Sequence, residues 1–170
     1  MHNFTIKLGS ITNGKNSFSF EIEDQFFEAF TFSDVEHANI SAIATLDKDG
    51  ENISLNLTVD GQINQLACDI CTDELSVQVS GETDVIIKTT DEDVASTDDI
   101  FYIKKSENKL DLQHLIFELI VLNAPKKRQH ALDKQGNSTC NKEMVDLVKE
   151  YTQIKEKSSD PRWDALKSLK

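Results

Sequence analysis

Hydrophobic side chains alternate with polar ones over much of the first half of this chain, and the places where the alternation breaks mark its turns. Phe4, Ile6 and Leu8 stand two apart, and Phe18, Phe20 and Ile22 do the same after the turn-forming Thr12-Asn13-Gly14, which predicts two strands. Phe26, Phe27 and Phe30 then change to helical spacing, with Asp24 placed to cap one or two turns. Ile40, Ala42, Ala44 and Leu46 form one face of a third strand, and Ile53, Leu55, Leu57 and Val59 form one face of a fourth. Asp47-Lys48-Asp49-Gly50 joins the two as a hairpin. Asp60-Gly61 predicts a second tight turn before Ile63 and Leu66. Leu75, Val77 and Val79 open another strand, Gly81 marks a turn or bulge, Val85 to Ile87 continue as strand, and Phe101 and Ile103 suit a short edge strand. Sequential strands with short connections favour an antiparallel meander.

Helical periodicity takes over in the second half. Leu112, Leu115, Ile116, Leu119 and Ile120 recur at i, i+3, i+4, i+7 and i+8, Asp111 is placed to cap, and Pro125 ends the helix. Phe117, Val121 and Leu122 widen its apolar face, which predicts a deeply buried helix. Residues 141–154 read as an amphipathic helix through Met144, Val145, Leu147, Val148 and Tyr151. After a linker at 155–159, Asp160-Pro161-Arg162-Trp163 opens a short terminal helix. The expected fold is α+β: an antiparallel sheet or partly closed barrel, a packed helix at 111–123 and two C-terminal helices. A core domain would span 1–125 and a basic helical extension 126–170.

Composition adds one fact that the pattern lacks. The 170 residues suit one core of ordinary size, but residues 1–120 hold 23 acidic and 7 basic side chains, net −16, whereas 121–170 hold 7 and 11, net +4. An acidic body forgoes the counterion release that drives most nucleic-acid binding, and attracts a basic protein or a cation instead. Residues 91–99, DEDVASTDD, carry five acidic side chains and read as a solvated loop. Lys126-Lys127-Arg128 is the basic cluster where RNA phosphate would be welcome; its plainer reading is a solvated helix exit whose cations suit the dipole. The start of the chain lacks a basic, apolar, small-residue leader, and the apolar run at 115–122 falls short of the roughly 20 residues that span a bilayer, so a cytoplasmic protein without a membrane span is expected. Three cysteines, one pair close together, suit a reducing compartment.

Candidate chemistry concentrates at Cys68-x-x-Cys71. The pair admits three readings, which the sequence leaves open: small residues shaping a strand connection, half of a zinc site that His130 and Cys140 would complete, or a thiol redox pair. The first is favoured, because a second CxxC is absent, and the third ranks last, because Asp69, Asp73 and Glu74 would raise a thiol pKa. No phosphate-cradling glycine loop, HExxH pair or nucleophile elbow is present.

Three stretches, in order, resemble landmarks of the bacterial YceD family, the large ribosomal RNA subunit accumulation proteins. CDICTD at 68–73 is similar to the family's cysteine pair between strands. LDLQHLIFELIVLNAPKKRQH at 110–130 resembles its helical pattern at Asp111, Leu112, Glu118, Leu122 and Pro125, and DPRWDALKSL at 160–169 resembles its terminal motif through Asp160 and Pro161. Ile70 and Thr72 depart from the usual Arg and Leu, and His130 and Cys140 are what remains of the cysteine-rich segment many relatives carry after the proline. The resemblance implies a cytoplasmic, non-enzymatic factor supporting large-subunit rRNA accumulation and ribosome assembly. The charge count favours a basic large-subunit ribosomal protein or pre-ribosomal particle as partner over extensive rRNA contact. Lys126, Lys127, Arg128, Arg162 and Trp163 are the contact candidates. The alternatives are a zinc- or thiol-dependent module and an rRNA-processing nuclease, for which no site is legible.

Overall fold

The computed structural model describes residues 4–31, 33–97, 99–104 and 106–152. The described residues of 1–66 and 74–128 form one compact unit, and those of 67–73 and 129–152 a second. In the first, strands β2 (Gly14–Ile22), β3 (His37–Asp49), β4 (Asn52–Ala67), β5 (Glu74–Thr90) and β6 (Ile100–Lys104) lie side by side in that order. β1 (Thr5–Lys7) pairs separately with β7 (Lys109–Asp111). The helices are α1 (Asp24–Phe27) and α2 (Gln113–Asn123), with α3 (Lys142–Thr152) in the second unit. The fold is α+β, as the alternation predicts.

The long strands arise because the alternation holds over many residues. Ile40, Ala42, Ala44 and Leu46 on β3 and Ile53, Leu55, Leu57 and Val59 on β4 are all buried, and each polar neighbour points the other way. Leu46 stands opposite Leu55, and Ala44 opposite Leu57, so one face of the hairpin is continuously apolar. Asn56 bonds to Glu82 and Asp84 while Asn64 bonds to Ser76, a falling register that sets β5 antiparallel to β4.

Three expectations are corrected by this sheet. It is open and mixed, neither a barrel nor wholly antiparallel, because β6 joins β5 in parallel after residues 91–99 carry the chain back across. Asp60-Gly61 is no turn: β4 runs through it unbroken. Gly61 faces Ile40 of β3, where a Cβ would lie 2.6 Å from the Ile40 Cα and clash with the Asn39 carbonyl oxygen. Gly81 likewise lies inside β5, where a Cβ would lie 2.6 Å from Cγ of Asn123 at the end of α2. Both glycines answer a close approach. The one slip in β4's alternation, from Ile63 to Leu66, falls at Gln65, whose φ of +54° adds a residue to the repeat.

α2 closes the apolar face. Asp111 Oδ1 accepts from the Gln113 N–H at 2.9 Å, which fixes the start, and the Ala124 N–H donates to the Ile120 carbonyl just before Pro125. Leu112, Ile116 and Ile120 are fully buried, each worth roughly 1.5–3 kcal/mol of transfer free energy. The expected deep burial is incomplete, since Val121 is 44% and Leu122 79% exposed. Both stand past the edge of the stripe that meets the sheet. Phe26 and Phe27 are core, Phe26 packing edge-on to Phe4 and to Phe27, while Phe30 stacks on Phe117 at 3.8 Å. Asp24 does not cap α1. Its carboxylate instead accepts from the Ala38 N–H and His37 Nδ1 at the start of β3, and the His37 bond, then the Ala38 bond, hold it below the usual carboxylate range. α3 begins behind Asn141, whose Oδ1 accepts from the Glu143 N–H. The terminal helix expected at Asp160 lies outside the described residues.

Gly61→Ala should therefore cost about 2–4 kcal/mol, because both groups that crowd the new methyl are backbone of the neighbouring strand. Chemical denaturation checks this; a loss below about 1 kcal/mol, the ordinary cost of a strand substitution, would contradict the close approach.

Candidate metal centre

Two hairpin turns build the cluster. The first, residues 68–73, links β4 to β5. The Cys68 N–H donates to the Asp73 carbonyl at 3.0 Å and the Thr72 N–H to the Cys68 carbonyl at 2.9 Å, while the Ile70 N–H reaches the Cys68 Sγ at 3.5 Å. Closing so tight a loop requires a left-handed residue, and Thr72 supplies it at φ +61°. The second hairpin is local to the chain's later part. Leu132 bridges Ser138, the Asp133 carboxylate accepts from the N–H groups of Gln135 and Asn137 at 2.8 Å each, and Gly136 takes φ +84°. Carrying that register two residues outward sets His130 opposite Cys140, and Thr139 Oγ1 secures it by donating to the Ala131 carbonyl.

Together the turns gather Cys68, Cys71, His130 and Cys140, whose ligand atoms all lie within 4.8 Å of one another. Cys68 Sγ is 3.7 Å from Cys140 Sγ, and His130 Nδ1 is 3.4 Å from Cys71 Sγ and 3.6 Å from Cys140 Sγ. Tetrahedral zinc, with Zn–S about 2.3 Å and Zn–N about 2.0–2.1 Å, has S···S edges of about 3.8 Å and S···N edges of about 3.6 Å. Three of the six donor–donor edges thus match a tetrahedral ion, and the other three lie within 4.8 Å. A disulfide, at about 2.05 Å, does not describe the cluster, and all three thiols are free.

Burial points the same way. Among the described residues of the second unit, the buried side chains are Cys68, Cys71 and Cys140, at 1%, 3% and 8% exposure. Burial pushes the Cys68 thiol up, but the N–H groups of Cys71, Ile70 and His130 outweigh it and bring it down to about 6. Cys71 is raised, by burial first. Cys140 is lowered, by the Ser138 hydroxyl first and by the His130 ring against the opposing effect of burial. The expectation that neighbouring carboxylates raise the pair is thus corrected at Cys68, where amide donors outweigh burial, while at Cys71 Asp73 adds to the upward effect of burial.

The other sequence candidates scatter. Lys126 and Lys127 are exposed, whereas Arg128 is engaged by Asp34 at 3.5 Å. Leu112 is core, Asp111 starts α2, and Pro125 follows its end. Glu118 is exposed with its carboxylate 3.3 Å from His114 Nε2, and Leu122 is exposed. Asp160, Pro161, Arg162 and Trp163 lie outside the described residues. Sequence reading missed Asp133, Gly136 and Ser138, which aim the later two ligands; the Asp-x-x-Gly spacing is the turn signal that marks them.

A family model described as large ribosomal RNA subunit accumulation protein YceD matches residues 55–170, a span that contains both hairpins and α2. No curated protein and no solved structure matches the chain.

A β-branched side chain in the left-handed region is strained, so Thr72→Gly should raise the unfolding free energy by about 0.5–1 kcal/mol. Equilibrium denaturation is the check, and a destabilised variant would mean that the Thr72 side chain contributes more than its backbone costs.

Proposed function

The chain belongs to the YceD family, and from that membership we propose that it is a non-enzymatic factor that supports large-subunit rRNA accumulation by holding a basic ribosomal protein or a pre-ribosomal particle. The observation that carries the partner's chemistry is the outward face of the five-stranded sheet. Glu21, Asp47, Asp60, Glu82 and Asp84 stand on it among hydroxyl and amide side chains and the exposed Ile43 and Ile86. Its lysines, Lys15, Lys88 and Lys104, lie toward the β3–β4 turn end of the sheet, and Lys104 is paired with Asp93 at 3.0 Å. A face of that sign repels phosphate and draws in lysine- and arginine-rich protein. Exposed Lys126 and Lys127 leave room for limited contact with rRNA.

Zinc is the ion we assign to the cluster, since three thiols and an imidazole are its usual structural set. Cys68, Cys71, His130 and Cys140 would hold it. Four protein donors leave no open position for substrate or water, so its part is structural: it would bind two hairpins into one unit.

Protein purified under reducing conditions should carry about one zinc per chain, lost in His130→Ala and in Cys140→Ser but kept in Lys126→Ala. Elemental analysis showing zinc unchanged in both ligand variants would remove the cluster as its site. Depleting the protein from cells should lower mature large-subunit rRNA, and affinity capture should recover a free large-subunit protein or its precursor particle; normal ribosome profiles together with recovery of neither would sink the functional reading.

A further inference from the structure

One margin of the stripe that α2 buries comes to the surface, from buried Leu119 through half-buried Leu115 to exposed Leu122. Leu115, Leu119 and Leu122 recur at i, i+4 and i+7, and with Val85 of β5 and Phe101 of β6 they wall a slot of about 350 Å³. Leu122 stands at the lip, 79% exposed, with Val121 beside it in sequence and also exposed. The remaining lining is polar: Glu118 and His114 on the helix, Ser96 and Thr97 on the loop that precedes β6. No lysine or arginine lines it. That loop belongs to the acidic stretch DEDVASTDD, from which Ser96 and Thr97 line the slot while Asp93 pairs with Lys104 at 3.0 Å.

β6 is the outermost strand, and an added strand would need its free amide groups. Two of these are already taken, because the Tyr102 N–H donates to Ser96 Oγ at 3.0 Å and the Ile100 N–H to Thr97 Oγ1 at 3.2 Å. What remains is side-chain recognition. We propose that the slot seats one aliphatic or aromatic side chain of a lysine- or arginine-rich segment in a partner protein, the apolar residue filling the groove and the flanking cations meeting Glu118 and the acidic loop. Charge decides the occupant. A second copy of this chain brings a net charge of −12 to an acidic rim, and a fatty acid would place its carboxylate against Glu118. The slot rests on the reading above that the partner is a basic ribosomal protein, and it names where that partner docks.

The test uses the full chain, the purified mixture of large-subunit ribosomal proteins as probe, and mass spectrometry to identify what binds. Leu122→Asp and Glu118→Lys are the variants, both at exposed positions, with thermal unfolding as the folding control. The expected result is capture of one or a few basic proteins, weakened about tenfold or more by Leu122→Asp, the loss of one buried leucine contact. Glu118→Lys should weaken it less, and mainly at low salt. Both variants should unfold like the wild type, and replacing one apolar residue in the bound segment by Ser should reproduce the Leu122→Asp loss. Equal capture by wild type and both variants would overturn the slot while leaving the partner reading standing. If the wild type captures no ribosomal protein, the partner reading falls and the slot with it. Self-association abolished by Leu122→Asp, or binding of rRNA fragments that this variant weakens, would give the groove to another occupant.

Discussion

Among the described residues of the second unit the buried side chains are three thiols, so the hydrophobic effect does not hold that part together. Segments this small seldom bury enough apolar surface to offset their own ordering entropy. α3 illustrates the point, since it buries no side chain fully and Leu147, Val148 and Tyr151 remain exposed. Cys140 precedes its capping residue Asn141, so whatever fixes the thiol also fixes the helix start. An isolated two-stranded hairpin is marginal in water. The convergence of Cys68, Cys71, His130 and Cys140 is therefore the constraint on which the described part of this unit depends, and the amide groups aimed at the Cys68 sulfur show a backbone already shaped for thiolate.

The larger unit depends on ordinary means. Alternation along β3, β4 and β5 turns one face of the sheet into core and leaves the other to solvent, where most side chains are polar but the sign of their charge is free. Acidic residues at Asp60, Glu82 and Asp84 are therefore a choice that folding does not impose. Asn56, bonded to both Glu82 and Asp84, holds two like charges on neighbouring ladder positions that would otherwise repel.

Much of this was legible in advance, and the failures share a cause. Period-two spacing identifies strands because burial acts on each residue separately. It fails at Gly61 and Gly81, where a glycine serves a neighbour distant in sequence: only the register of β4 on β3, or the seat of α2 on β5, reveals the lack of room. Leu122 fails similarly, since apolar character states a preference for burial without saying whether anything lies opposite. The acidic stretch at 91–99 was read for its charge and not for its length, which is what lets β6 return parallel. The four ligands were nameable by residue type alone. Their convergence was not, because a His and a Cys ten residues apart meet only through the turn that Asp133 and Gly136 make.

The separation of the two hairpins along the chain has a temporal consequence. Cys71 and His130 are 59 residues apart, and Cys68 and Cys140 are 72 apart. At the roughly 5–20 residues per second of protein synthesis, the first two thiols emerge several seconds before the imidazole and thiol that complete them. During that interval β5, β6 and α2 are made, so the larger unit has its full sequence while the smaller one still waits as an open dithiol. Newly made chains thus pass through an obligatory window in which the pair is open to oxidants and stray metal, and its length is set by translation speed rather than by any property of the finished fold.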